Sequence, residues 1–422
     1  MATKLIFNGT RTDEPLDLEK VIGELNRKRK YLHSLQINDI LDFFHTLSEY
    51  WEQEQYTKKY RYLKNISDFL HKANLTNRLS IALHKDIQSL DQFVDLDDAQ
   101  FLFHAQPRGL TVHWLAGNVS ILGLFSIFSS LITKNVALVK ASSKGYEELV
   151  DFIMTIREVN TSKIKGEEFA ETIRIILVDR EDKDIHLALS KAADVRIAWG
   201  GHEAIQTIIN LEKKLSCEDI IFGPKYSYAA IDKETLDSEF TKTAQRLAID
   251  VSVFDQYACS SPHTVFVQEG AHSALEFAQE LAKQLDFVQR SVLPKQKIDS
   301  GKSMEILNLR TQYMFKGKVF PSKGTEWTVI YSEEDGLADA CFSRVIHVKP
   351  IKDLMKLKEF NTRQRQTLGI AFTKENKLKL LDQITLYGVD RCPDLGYLTF
   401  FESPWDGMFV FDRLVRWITT YK

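Results

Sequence analysis

One thiol in this chain stands where a nucleophile is wanted. Cys259 lies in the run Phe254-Asp255-Gln256-Tyr257-Ala258-Cys259-Ser260-Ser261-Pro262, just before the apolar stretch Thr264-Val265-Phe266-Val267. A thiolate on a rigid turn at a cleft edge can attack an activated carbonyl and hold the acyl group as a thioester. The alternation in residues 247–253 predicts a strand, or an approach to one, before the turn. Residues 264–267 predict a buried strand after it, bounded by Pro262 and Gly270. A buried core cysteine satisfies the same spacing.

Three other spots carry chemistry. Gly117-Asn118 ends the run Leu110-Thr111-Val112-His113-Trp114-Leu115-Ala116 and precedes a Ser-rich apolar helix. An Asn amide there can donate to a carbonyl oxygen that gains negative charge, and the preceding Gly lets a substrate approach the backbone. Val136-Ala137-Leu138-Val139-Lys140-Ala141-Ser142-Ser143 places a lysine and two hydroxyls at the carboxyl end of a strand, where open α/β sheets bind ligands. Trp199-Gly200-Gly201-His202 turns from strand to helix, aiming backbone N–H groups and the helix dipole outward. Taken singly, these three read more readily as an N-cap, a solvated strand end and a tight turn.

The elements that must hold these residues are legible in the periodicity. After a short strand at Leu5-Ile6-Phe7, residues 16–25, 37–51 and 81–93 carry apolar residues at helical spacing, with a sharp stripe at Ile37, Ile40, Leu41 and Phe44. From about residue 109 the texture alternates. Strands are expected at 136–139, 173–178, 195–199 and 229–231, with helices at 145–157, 184–192 and 203–213 between them. A second α/β block follows, with strands at 264–267, 327–331, 345–348 and 369–373 and helices at 273–284 and 377–384. An apolar helix is expected over 409–418. Strands separated by helices imply parallel sheets covered on both faces. With no Pro/Gly-rich linker, the blocks should pack closely around a cleft.

Composition excludes several classes. The 422 residues hold 55 basic against 58 acidic side chains, a net charge of −3, which gives no bulk attraction to nucleic acid or an anionic membrane. The four cysteines (Cys217, Cys259, Cys341, Cys392) form neither a CxxC pair nor a zinc-ligand spacing, which suits a reducing cytoplasm without structural metal. No hydrophobic leader is expected at the amino terminus. The apolar stretch 119–133 is broken by serines and is too short for a membrane span.

In their order along the chain, these features resemble the aldehyde dehydrogenase superfamily, and within it the LuxC-type acyl-CoA reductases. The resemblance is carried by Gly117-Asn118-Val119, Thr133-Lys134-Asn135, Lys140-Ala141-Ser142-Ser143, Ala198-Trp199-Gly200-Gly201, Phe222-Gly223-Pro224-Lys225-Tyr226-Ser227, the Cys259 run, and Ser403-Pro404-Trp405-Asp406-Gly407. It implies an aldehyde-dehydrogenase-like α/β fold of two Rossmann-like domains. The expected division is a helical segment plus dinucleotide-binding domain at 1–235, a catalytic domain at 236–398 and a carboxyl-terminal segment at 399–422.

The resemblance also implies roles. Cys259 would take the acyl group, while Asn118 and the Cys259 N–H would bind the oxyanion. Lys140 with Ser142 or Ser143 would meet the adenosine ribose, and Gly200 and Gly201 would underlie the pyrophosphate. Ser143 stands near the position where NAD-preferring relatives carry a ribose-binding Glu, and its lack of charge favours NADPH. The expected substrate is an acyl-CoA or an acylated protein supplied by an acyl-protein synthetase, and a homo-oligomer is expected. Two departures stand out. Ile221 lies near the position of the hydrolytic base, with Glu218 close by as an offset carboxylate. The Glu-x-Phe-Gly-Pro cofactor motif is unrecognisable around Cys341-Phe342-Ser343-Arg344. An oxidising dehydrogenase and a non-catalytic acyl carrier are the competing readings.

Overall fold

The computed structural model describes residues 3–59, 63–117 and 122–422. The chain divides into two compact units, one of Met1–Gly223 with Phe401–Lys422 and one of Pro224–Phe400.

The first unit is built on a seven-stranded sheet. Its strands are β1 (Lys4–Phe7), β2 (Arg11–Pro15), β4 (Leu110–Trp114), β5 (Val136–Ala141), β6 (Ile173–Leu177), β7 (Val195–Trp199) and β8 (Glu218–Phe222). Strand β3 (Phe101–Pro107) lies outside this sheet. The spatial order is β2-β1-β6-β5-β4-β7-β8. The five strands from β6 to β8 are mutually parallel, and β1 and β2 extend the sheet antiparallel. Strands such as β5 and β6 are apolar almost throughout because helices cover both faces. The stripe foreseen at Ile37, Ile40, Leu41 and Phe44 is fully buried on the helix Ile37–Trp51. Phe44 packs on Phe128 of the helix Leu122–Ile132 at 5.2 Å between ring centres.

The second unit carries a six-stranded sheet of β9 (Tyr226–Ile231), β10 (Pro262–Gln268), β11 (Lys318–Pro321), β12 (Thr328–Tyr331), β13 (Val345–Ile351) and β14 (Arg365–Ala371). Its order is β11-β12-β13-β10-β9-β14, parallel apart from β11. Alternation along β9 and β10 sends Ala229, Ile231, Val265 and Val267 to a core with Leu247, Phe277 and Leu281. Tyr228, Ala230 and Phe266 go to the opposite core with Leu354 and Ile384. The strand expected at 229–231 thus belongs to the second sheet, and the chain crosses between units at Gly223–Pro224 rather than near residue 235.

Three local expectations fail for identifiable reasons. Residues 247–253 are not a strand: they end the helix Phe240–Ser252, whose buried face is Ala244, Leu247, Ala248 and Val251. The apparent alternation arose because Asp250 is itself buried, accepting from the N–H groups of Gly396 (2.6 Å) and Leu398 (3.2 Å). The stretch 81–93 is not one helix. The preceding helix stops at Ala82, His84 and Lys85 take left-handed backbone, and Asp86 caps a separate short turn, Ile87–Leu90. The expected helix at 409–418 is a single turn, Val410–Arg413, followed by strand β15 (Val415–Tyr421). β15 pairs residue for residue with β3, as its β-branched and aromatic residues favour.

Candidate active site

In the first unit the parallel strands run β6-β5-β4-β7-β8 across the sheet, so the order reverses between β4 and β7. Ligands of doubly wound sheets bind at such a reversal, outside the carboxyl ends of the strands. The register sets Lys140, Trp114, Ala198 and Ile221 in one row at that edge. The turns that follow carry most of the residues singled out in the sequence. Asn118 lies outside the described residues.

Gly117 approaches Ser142 closely: a Cβ would stand 2.4 Å from the Ser142 hydroxyl oxygen and 3.2 Å from its Cβ, so a side chain there would force Ser142 to shift. Ser142 accepts the Lys144 N–H at 3.3 Å, and Ser143 is exposed beyond it. Lys140 is half-buried. Burial lowers its pKa while the Asp179 carboxylate opposes the fall. Gly201 is the N-cap of the helix His202–Ile209, and a Cβ added there would meet nothing within 4 Å. That helix start is open, as a pyrophosphate site requires.

Beneath this edge lies a buried polar network that sequence reasoning missed. His113 on β4 is fully enclosed, and burial pushes its imidazole down to about 3, so it stays neutral. Its Nε2 pairs with the Thr111 hydroxyl at 2.9 Å and its Nδ1 with the Ser126 hydroxyl at 3.2 Å. Ser126 also receives the Trp199 indole N–H at 3.3 Å. The network ties the helix Leu122–Ile132 to β4 and to β7, the strand that ends at Trp199 just before Gly200. Its trace in the sequence was the run of serines on an otherwise apolar helix.

Glu218 is not an offset base for this edge. It begins β8, at the amino end of the strand, and is held in ion pairs with Arg108 and Arg413.

In the second unit Cys259 is half-exposed on a turn that enters β10 at its amino end. Cys217, Cys341 and Cys392 have thiols raised by burial, Cys341 to about 11 and Cys392 to about 12. The turn is closed by Ser261 N–H to Ala258 C=O at 3.0 Å. Ser227, buried on β9, donates its hydroxyl to the Cys259 carbonyl at 2.6 Å and accepts the Thr367 N–H at 3.2 Å. Before the turn, Phe254, Asp255 and Gln256 have φ of 54°, 47° and 70°. Left-handed backbone of this kind costs roughly 1–3 kcal/mol per non-glycine residue and collects at functional sites.

Two buried histidines of this unit set a pH dependence. Burial pushes His263 and His347 down to about 4. As pH falls from 6.5 towards 4, the unfolded chain takes up protons that the folded unit refuses, and each histidine then removes about 1.4 kcal/mol of stability per pH unit. Asp250 acts in the opposite direction. Burial raises it to about 7, so the folded unit binds its proton first on acidification. Among these three groups the net is one histidine's slope, and buried His113 of the first unit adds to it with the same sign. Urea titrations between pH 6.5 and 5 should show stability falling with pH, and falling more steeply in Asp250→Asn than in wild type by about 1.4 kcal/mol per pH unit.

Comparison with known proteins decides the family. The profile of the acyl-CoA reductase (LuxC) family matches residues 15–417. The chain belongs to that family. It is 28% identical to long-chain acyl-protein thioester reductase 2 of Photobacterium leiognathi, across 99% of this chain and 89% of the relative. It is 26% identical to the long-chain acyl-protein thioester reductase of Aliivibrio fischeri, across 92% and 82%. Among solved structures it superposes on aldehyde dehydrogenase 21 of Physcomitrella patens with a TM-score of 0.70 at 13% identity, covering 100% and 95% of the two chains. The NADP-dependent glyceraldehyde-3-phosphate dehydrogenase of Bacillus halodurans gives 0.66 at 14% identity, covering 100% and 99%. The aldehyde-dehydrogenase-like α/β fold expected from the sequence is the fold found, and as a LuxC-family member the chain is an aldehyde-forming acyl thioester reductase. No described helix is long and apolar enough to cross a membrane.

Proposed function

We propose that this reductase converts a fatty acyl thioester, carried on CoA or on a protein, to the aldehyde with NADPH, through an acyl group held on Cys259. The observation that carries the reading is a half-exposed thiol on a turn whose carbonyl Ser227 grips. The Cys259 thiolate attacks the acyl carbonyl carbon, and the C–S bond to the donor breaks, releasing the donor as its thiolate, which solvent protonates. Asn118 and the Cys259 N–H donate to the oxygen while it carries negative charge. The nicotinamide supplies hydride to the thioester carbon when bound. Collapse to the aldehyde then returns the thiolate to Cys259. Ile221 in place of a water-activating carboxylate, with Glu218 engaged by two arginines at the far end of β8, protects the thioester from hydrolysis and disfavours the oxidising reading.

The first unit supports a dinucleotide at the β4/β7 reversal. Gly201 and Gly200 would hold the pyrophosphate, and Lys140 with Ser142 or Ser143 the adenosine ribose. Ser143 carries no charge to repel a 2′-phosphate. Because a side chain at Gly201 meets only open space in the protein, Gly201→Ala should leave the melting temperature within a degree or two. The same change should weaken NADPH binding roughly tenfold, as titration calorimetry would show.

The acyl donor we assign is protein-bound or CoA-bound, since the named relatives act on acyl-protein thioesters. An acyl-activating ligase is then the natural partner, and self-association through the β3–β15 ribbon would give a homo-oligomer. A panel of acyl-CoAs tested with NADPH and with NADH settles the chemistry. The reading expects aldehyde, a preference for long chains and for NADPH, and no free acid from aldehyde plus NADP without CoA. Free acid in that last assay would replace it with the oxidising dehydrogenase.

A further inference from the structure

The turn that bears Cys259 is fastened by a device some ninety residues away in sequence. Phe342, Ser343 and Arg344 have φ of 55°, 58° and 62°, a second left-handed triplet facing the one at 254–256. The two are bonded together. Ser343 N–H donates to the Asp255 carbonyl at 3.0 Å, and Arg344 Nε donates to Asp255 Oδ1 at 2.7 Å within an ion pair. Gln256 exchanges bonds with Val345, giving Nε2 to its carbonyl and accepting its N–H, both at 2.9 Å. The same Nε2 reaches the Pro262 carbonyl at 2.7 Å, closing a ring from 256 to 262 around Cys259. Arg344 and Gln256 are fully buried, and Arg344 is further held by the Leu293 carbonyl at 2.7 Å.

This is an odd way to stabilise a loop. Burying an ion pair forfeits so much hydration that an apolar pair usually does as well, and six strained residues add to the cost. Such an arrangement persists where a geometry must be held. We infer that Asp255, Arg344 and Gln256 are positioning residues that fix the direction of the Cys259 thiol. The inference rests on Cys259 being the nucleophile. It adds that the ion pair acts on the bond-forming step and leaves acyl-donor binding alone.

The test is the double variant Asp255→Asn/Arg344→Gln, which leaves no unpaired buried charge, with Arg344→Lys as the conservative control. In folded enzyme with unchanged NADPH affinity, kcat should fall about 100-fold, the effect of an ångström's misplacement. KM for the acyl-CoA should change less than threefold, and Arg344→Lys should recover at least a tenth of the loss. The rate of Cys259 alkylation by iodoacetamide, followed by peptide mass across pH, should fall with kcat. A folded double variant whose kcat stays within threefold of wild type overturns the inference. If the double variant does not fold, Asp255→Asn alone must show the same loss of kcat, and failure of both to fold makes the pair a stability element and overturns the role as well. Wild-type enzyme that alkylates but never acylates at Cys259 would instead remove the nucleophile assignment itself.

Discussion

Cys259→Ala should abolish acyl transfer and aldehyde formation, a loss of at least about 1,000-fold in turnover, while NADPH binding and the melting temperature stay at wild-type values. Both halves follow from where the residue sits. Its side chain is partly exposed on a turn and only one sulfur is removed, so the stability change should stay within about 1 kcal/mol. The bonds that hold the turn run through backbone atoms and neighbours: Ser227 to the Cys259 carbonyl, Ser261 to Ala258, and Gln256 to Pro262. These three bonds do not run through the sulfur. The remaining cysteines cannot substitute, because burial raises their thiols and favours the un-nucleophilic protonated form. Loss of absorbance of the reduced nicotinamide, with differential scanning fluorimetry on the same preparation, checks both halves.

The second large effect is expected at Asn118. Removing one oxyanion donor costs roughly 10²–10³ in kcat. Asn118→Ala should therefore lower kcat by that factor while KM for the acyl donor stays within about threefold, because the charge it is proposed to meet develops only in the transition state. The described residues on either side of it are firmly held. Gly117 is wedged against Ser142, and the helix that follows is tied through Ser126 to His113 and Trp199. Steady-state kinetics with one acyl-CoA separates the two parameters, and a rise in KM at unchanged kcat would assign Asn118 to ground-state binding.

What could be read from the sequence was what is local and periodic. Both faces of β5, β6, β9 and β10 are covered, so these strands appear as apolar runs whichever sheet they join. The helices between them kept their spacing, and an α/β fold followed. Sheet membership was harder: nothing in Ala229-Ala230-Ile231 says that it pairs with β10 and β14. Residues 247–253 misled because a buried carboxylate broke the helical pattern. Residues 415–421 misled because Val415 and Ile418 continue the helical spacing of Phe411 and Leu414, although most of the strand is exposed.

Within the candidate site, Cys259, Lys140, Gly200 and Gly201 were visible because each interrupts an element with a chemically capable type. Ser227, His113 and the pairing of Asp255 with Arg344 were not. Their meaning lies in contacts between segments up to 140 residues apart, and a buried polar residue on a strand reveals its partner only once the strands are assembled. The unrecognisable stretch at 341–344 was a trace of that pairing, since its departure from the expected motif coincides with the left-handed turn.

The central claim is that one sulfur carries the acyl group, and intact-protein mass spectrometry tests it directly. Wild-type enzyme mixed with a long-chain acyl-CoA in the absence of NADPH should gain the mass of one acyl group, located by peptide mapping on the fragment containing Cys259. Adding NADPH should remove that mass and release the aldehyde in equal amount. No adduct, an adduct on another residue, or one that NADPH leaves in place would contradict the account.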